Sequence, residues 1–160
     1  MSNAIYSEQD YSAINEQIRR RSLLMGIPCA LLLATLVASF IVRLEWLTAT
    51  CTILIGAILI AGYDLFLKPL VCYRRFLDNV LHGRTHETIL PFVSIGEDIN
   101  LVDGVPCRAL SCQDIDGKGR PYDRLFYFDC AKTFPSFDEG QHVCIVHHDL
   151  LVANVFPAQE

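Results

Sequence analysis

Two uninterrupted apolar runs dominate the first half of the chain. Residues 22–42 and residues 46–63 carry no charged side chain, and only Arg43, Leu44 and Glu45 stand between them. At 1.5 Å rise per residue, about 21 helical residues cross the roughly 30 Å hydrocarbon layer of a bilayer, so the pattern predicts two membrane-spanning helices joined by a tight turn. A polar stretch precedes the first run and a second run follows at once, which is not the layout of a cleaved signal sequence.

The flanking segments predict shorter elements. Ser7 and Asp10 have the spacing of a capping box, and Tyr11, Ile14 and Ile18 recur at helical intervals. They predict a helix over 7–21 lying along the membrane surface, an unstructured tail being the alternative. Residues 1–21 thus form an N-terminal cytoplasmic or interfacial segment, and residues 22–68 the hairpin. Pro69 is expected to kink or interrupt the helix leaving it. Leu70, Tyr73, Leu77, Val80 and Leu81 then share one face, predicting an amphipathic helix over 70–82 that stops at Gly83. Residues 69–87 form this juxtamembrane helix and its linker.

From Thr88 the period changes to two. Strands are predicted at 88–95, 105–113, 122–130, 141–147 and 150–156, with turn chemistry at 97–104, 114–121, 131–140 and 147–149. Five short strands within residues 88–157 bury one face best by closing on themselves. The expectation is a small five-stranded β-barrel, OB or SH3-like, with an open two-layer sheet as runner-up. The fold class is an α+β membrane protein: a transmembrane helical hairpin, a juxtamembrane helix and a C-terminal barrel.

Charge orients this layout. Arg19, Arg20 and Arg21 precede the first span, and Lys68, Arg74 and Arg75 follow the second, whereas the connecting turn offers Arg43 offset by Glu45. The positive-inside rule then places both termini in the cytoplasm, with Trp46 as an aromatic anchor at the outer interface. Seven cysteines without a C-x-x-C pair, facing a reducing compartment, read as free thiols rather than a disulfide framework. Residues 84–160 carry 6 Lys and Arg against 12 Asp and Glu. A module so acidic lacks the positive groove that neutralises nucleic-acid phosphates.

Within the spans, Gly26, Ala30, Ala34 and Ala38 fall on every fourth residue, and Gly56 follows Thr52 at the same spacing. Such faces let helix backbones approach closely, either within the hairpin or against a partner or second copy. No ionisable residue lies mid-span, so the usual mark of an ion pathway is missing.

The candidate chemistry centres on residues 141–150, QHVCIVHHDL. In a strand His142 and Cys144 share a face, whereas His147 points away from them. These two are weak candidates for a metal or reactive-thiol pair, since a closed zinc site wants four N or S ligands and no other cysteine shows paired-ligand spacing. His82 and His86 are four apart, but Gly83 breaks the helix they would need, and the zincin order is absent. No nucleophile elbow or phosphate loop occurs. The expectation is therefore a non-enzyme without a cofactor. Three aromatics in the strand at 122–130, followed by a proline loop, place Tyr127, Phe134 and Phe137 as candidates for an exposed partner surface.

The hairpin, barrel and segment RLFYFD…P…GQHVCIV resemble small bacterial inner-membrane proteins of unknown function. In outline the chain is also similar to the NfeD-like proteins, whose OB-fold follows membrane spans. That resemblance implies work beside stomatin-type scaffold proteins. The functional expectation is a membrane-anchored, non-enzymatic interaction module touching lipid and another membrane protein or a second copy. The alternatives are an accessory subunit of a membrane enzyme or transporter, and a sensor using His142 and Cys144.

Overall fold

The computed structural model describes residues 5–158. Residues 1–4 of the N-terminal segment, and 159–160, lie outside the described residues. The chain divides into two compact units, Ser12–Cys72 and a second that joins Tyr73 onward to the N-terminal stretch through Tyr11.

The first unit is built from two long apolar helices. Helix α1 spans Glu8–Val42 and α2 spans Glu45–Gly62. Ser7 and Asp10 make the reciprocal capping bonds: the Ser7 amide donates to Asp10 Oδ2 (3.0 Å) and the Asp10 amide to Ser7 Oγ (3.3 Å). The helix so started is continuous to Val42, rather than ending near Arg21, because Gly26 and Pro28 are the only strong helix breakers between Glu8 and Val42 and stand within a run rich in leucine and alanine. The reversal between α1 and α2 uses Arg43 in the left-handed region (φ 60°). Ser39, almost wholly buried, braces the turn: its hydroxyl donates to the Leu44 carbonyl (2.9 Å) and lies 2.7 Å from Thr48 Oγ1.

The helices do not pack where the small-residue pattern suggested. Their facing stripes are Met25, Pro28, Cys29, Leu32, Leu36 and Ser39 on α1, and Thr48, Cys51, Ile55, Ile58 and Gly62 on α2. Gly62 is the close approach, since a Cβ there would collide with the Met25 methyl. Gly26, Ala30, Ala34 and Ala38 are exposed on another face, and open space surrounds Gly26 and Gly56. Large side chains such as Leu24, Ile41, Ile53 and Ile60 also point outward. Both helices are long and apolar enough to cross a membrane.

Helix α2 passes without a break through a π-helical turn, Tyr63–Leu67, into α3, Lys68–His82. The Lys68 amide donates to the Tyr63 carbonyl, five residues back. A proline ring presses on the carbonyl four residues earlier, here Leu65, and the widened turn absorbs that misfit, so Pro69 neither ends nor interrupts the helix. On α3, Phe76, Leu77 and Val80 are buried while Arg74 and Arg75 stay exposed.

The second unit holds five strands: β1 (His86–Val102), β2 (Val105–Ile115), β3 (Pro121–Asp129), β4 (His142–His148) and β5 (Leu151–Pro157). They close into a barrel in the order β1-β2-β3-β5-β4. The first half of β1 pairs antiparallel with β4 and the second half with β2, with irregularities between Phe92 and Ser94 and between Ile95 and Ile99 that bend the strand around the corner. The turn predicted at 97–104 shrinks to Asp103 and Gly104, both with positive φ (51° and 81°), the geometry of a two-residue hairpin. The residues before it extend β1. Strand β3 meets β5 in parallel through Tyr127 and Leu151.

Period-two alternation fixes the core. Phe126 and Phe128 point inward with Phe92, Leu110, Val143, Ile145 and Val152, and Leu125 points out. Phe126 is fully buried. Truncation by Phe126→Ala is expected to cost about 3–5 kcal/mol of barrel stability, measured by urea denaturation of the full chain.

Candidate functional site

The most constructed polar site in the chain gathers around Asp129, at the end of β3. Only 2% of this residue is exposed, so each oxygen of its side chain needs a donor. Oδ2 accepts a hydrogen bond from the Tyr73 hydroxyl on α3 (2.7 Å), and Oδ1 accepts one from the Ala131 amide (2.9 Å). The Asp129 amide donates to the Tyr6 hydroxyl (2.9 Å). Tyr6 is itself only 3% exposed, and its ring lies edge-on to Phe76 (5.6 Å between centroids), which stacks on Tyr73. Lys132 lies over the Tyr6 ring and donates to Asp10 Oδ2 (2.8 Å).

Three distant parts of the sequence thus meet at one residue, Asp129: the stretch leading into α1 at its amide, and the middle of α3 and the turn after β3 at its carboxylate. The contact extends along the two helices, where His82 Nε2 is 3.4 Å from Glu8 Oε1 and the Tyr11 ring meets that of His82.

The electrostatics of the cluster oppose proton transfer at pH 7. Burial pushes the Tyr6 hydroxyl well above the ordinary phenol range, against the pull of the Asp129 amide. Burial, together with its bond to Asp129, raises Tyr73 likewise. Asp10 is held below the usual carboxylate range, chiefly by its bond with Lys132. The arrangement is a neutral-donor cradle for one anionic side chain, suited to holding segments together rather than to moving protons.

Alternation along β4 puts His142 and Cys144 on one face and His147 on the other, yet the first two differ in burial: His142 is exposed opposite Pro91, and Cys144 is buried opposite Ile89. Burial raises the Cys144 thiol, as it does Cys112 (to about 11) and Cys107 (to about 12), where the Asp129 charge adds to it. High thiol values leave little thiolate, the reactive form. Among the described residues no group of three or more His, Cys, Asp or Glu is arranged to hold a metal.

His147 has a different role from its neighbours. Only 4% exposed, it packs on Phe126 (4.9 Å between centroids). Its Nδ1 lies 2.6 Å from the Asp149 carbonyl, which can only accept, so Nδ1 carries the proton and Nε2 accepts from Thr88 Oγ1 at 3.0 Å. Burial lowers its pKa, against the pull of that carbonyl, while Arg124 and His86 lower it further.

The partner surface expected of Tyr127, Phe134 and Phe137 is not a free aromatic patch. Phe134 stacks on Phe128 (4.3 Å between centroids), and Phe137 packs on Phe92 (5.9 Å) and Phe134 (6.2 Å). The proline loop folds these two half-buried rings against the core, which is where their apolar area is best hidden. Tyr127 is half-buried on the outer face of β3. Arg19, Arg20, Arg21, Trp46, Arg74 and Arg75 are all exposed. The residues that pattern reading missed are Tyr6, Tyr73, Asp129 and Lys132.

No protein-family model, no curated protein and no solved structure matches this chain.

Two outcomes test the site. Tyr73→Phe removes the donor to a buried carboxylate and is expected to lower stability by about 1–3 kcal/mol in chemical denaturation. Burial holds the His147 pKa below the 6.5 it has when unfolded, so its contribution to stability is complete above that value and falls as pH drops below it. A thermal melt of the full chain is expected to lose midpoint from pH 7.5 to 5.5, and His147→Gln to flatten that slope.

Proposed function

We propose that the chain is a membrane-anchored, non-enzymatic interaction module. Its two apolar helices cross the cytoplasmic membrane of a bacterium as a hairpin, and both termini and the acidic barrel lie on the cytoplasmic side. The observation that carries this reading is the outward display of apolar side chains along α1 and α2. Ile41 is 79% exposed, Ile60 71% and Trp46 68%, an arrangement that water penalises and hydrocarbon does not. The strand order, with β1 paired to both β2 and β4 and a parallel β3–β5 seam, supports an OB-type barrel over an SH3-like one. It is also compatible with the outline likeness to NfeD-like proteins.

The barrel's role is to present a surface to another protein. Leu101 (77% exposed) and Ile99 (61%), two apart near the β1–β2 turn, are the prominent apolar pair on its exterior. With the aromatic loop engaged in the core, this pair and Tyr127 replace Phe134 and Phe137 as the candidate contact. The second reading, an accessory subunit acting through its helices, is favoured by the uncovered Gly26, Ala30, Ala34 and Ala38 face. The thiol or metal sensor gains no support from the raised Cys144 thiol.

The full chain is expected to stay with membranes in alkaline carbonate and to need detergent for release. A reporter fused after Glu160 is expected to be active in the cytoplasm, and periplasmic activity would reverse the orientation. If the barrel contacts the partner, Leu101→Glu lowers co-purification while membrane retention is unchanged. If the helices do, Ala34→Leu has that effect instead.

A further inference from the structure

An open apolar groove of about 400 Å³ runs along one side of the two-helix unit, between α1 and α2. Leu24, Met25 and Pro28 form one wall, and Leu54, Ile58 and Phe66 stand on the other. The small residues Ala57 and Ala61 keep it open. From Leu54 on α2 to Phe66 in the π-helical turn the second wall runs about 18 Å, close to one leaflet of a hydrocarbon layer about 30 Å thick.

One end of the groove carries fixed positive charge. Arg21 precedes Leu24, Met25 and Pro28 by three, four and seven residues, so it stands on the groove face of α1 one turn before the wall begins. There its Nη1 donates to the carbonyl of Phe66, a wall residue, at 3.3 Å. That bond fixes the guanidinium at the mouth and occupies one of its five donors. Arg19 and Arg20 adjoin it in sequence, whereas the nearby Lys68 is paired with Asp64 (3.2 Å). An apolar channel one leaflet long, ending at an arginine, matches a molecule with an alkyl chain and an anionic head.

Resting on the membrane reading above, the geometry points to a binding site for one anionic phospholipid of the cytoplasmic leaflet. An acyl chain lies in the groove and Arg21 holds the phosphate. The dependence on charge distinguishes it from the loose lipid that surrounds any span.

The test uses the full chain in mild detergent, offered phosphatidylglycerol or phosphatidylcholine of identical acyl chains and weighed by native mass spectrometry. One phosphatidylglycerol is expected to be retained with about fivefold preference, the scale of a single arginine at a membrane surface. Arg21→Gln is expected to abolish the preference, and Arg20→Gln to keep most of it. Ala57→Phe, which fills the groove from an exposed position, is expected to remove retention of both lipids. Should that variant not elute as the parent does, Ala61→Leu takes its place. Equal retention of the two lipids, or a preference that survives Arg21→Gln, overturns the site. Retention that survives a filled groove also overturns it. A chain released by carbonate without detergent instead overturns the membrane reading itself, so the two failures are told apart before any lipid is added.

Discussion

Two helices lying side by side can each hide only one stripe of their surface from the surroundings. Here that stripe is narrow, centred on Cys51, Gly62 and Ser39, and the rest of two strongly apolar segments has no protein to cover it. No rearrangement within the pair removes this excess. Every part of the proposed role depends on it, because an apolar medium turns the exposed leucines and isoleucines from a cost into the fastening. The polar contacts in this unit then follow a simple logic. The Ser39 and Thr48 hydroxyls satisfy each other and the Leu44 carbonyl at the turn, where backbone groups run out of helical partners.

The second unit solves the opposite problem. Its strands enclose their apolar residues by closing on themselves, and the polar groups drawn inside are given partners. The Asp129 side chain accepts two bonds while its amide donates a third, and His147 is engaged at both ring nitrogens. Among the described residues no buried side-chain nitrogen or oxygen is left without a partner. This completeness makes the Asp129 cluster strong as a fastener and poor as a reaction centre. The carboxylate is already surrounded, and its phenol neighbours hold their protons firmly.

How much of this could be read from the letters depended on the range of the interaction. The apolar runs, the capping box at Ser7 and Asp10, and the alternation that buries Phe126 and Phe128 are local patterns, and each appears where its period placed it. Boundaries failed where a local signal was overruled by its neighbours. Pro69 promised a break, but a widened turn kept the helix intact, and residues 97–101 read as a loop because Glu97, Asp98 and Asn100 are polar and this end of the strand is exposed on both faces. The small-residue face was legible as a motif, yet which helix face meets the other was not. Met25 entering the space at Gly62 settled that, and no spacing announces it. The Asp129 site was the least visible, since Tyr6 and Tyr73 are ordinary tyrosines until folding brings them across more than fifty residues of chain to one aspartate.

The barrel is not equally joined all the way round. Four of its five seams are antiparallel ladders with many paired positions, whereas β3 and β5 meet at the single parallel pair Tyr127 and Leu151, strengthened by the Tyr127 amide bond to the Leu150 carbonyl (2.7 Å). In mechanical terms it is a rolled sheet with one light fastening. Parting that fastening unrolls the wall along one line, bares Phe126 and Val152 to whatever lies outside, and leaves the remaining ladders able to guide it shut.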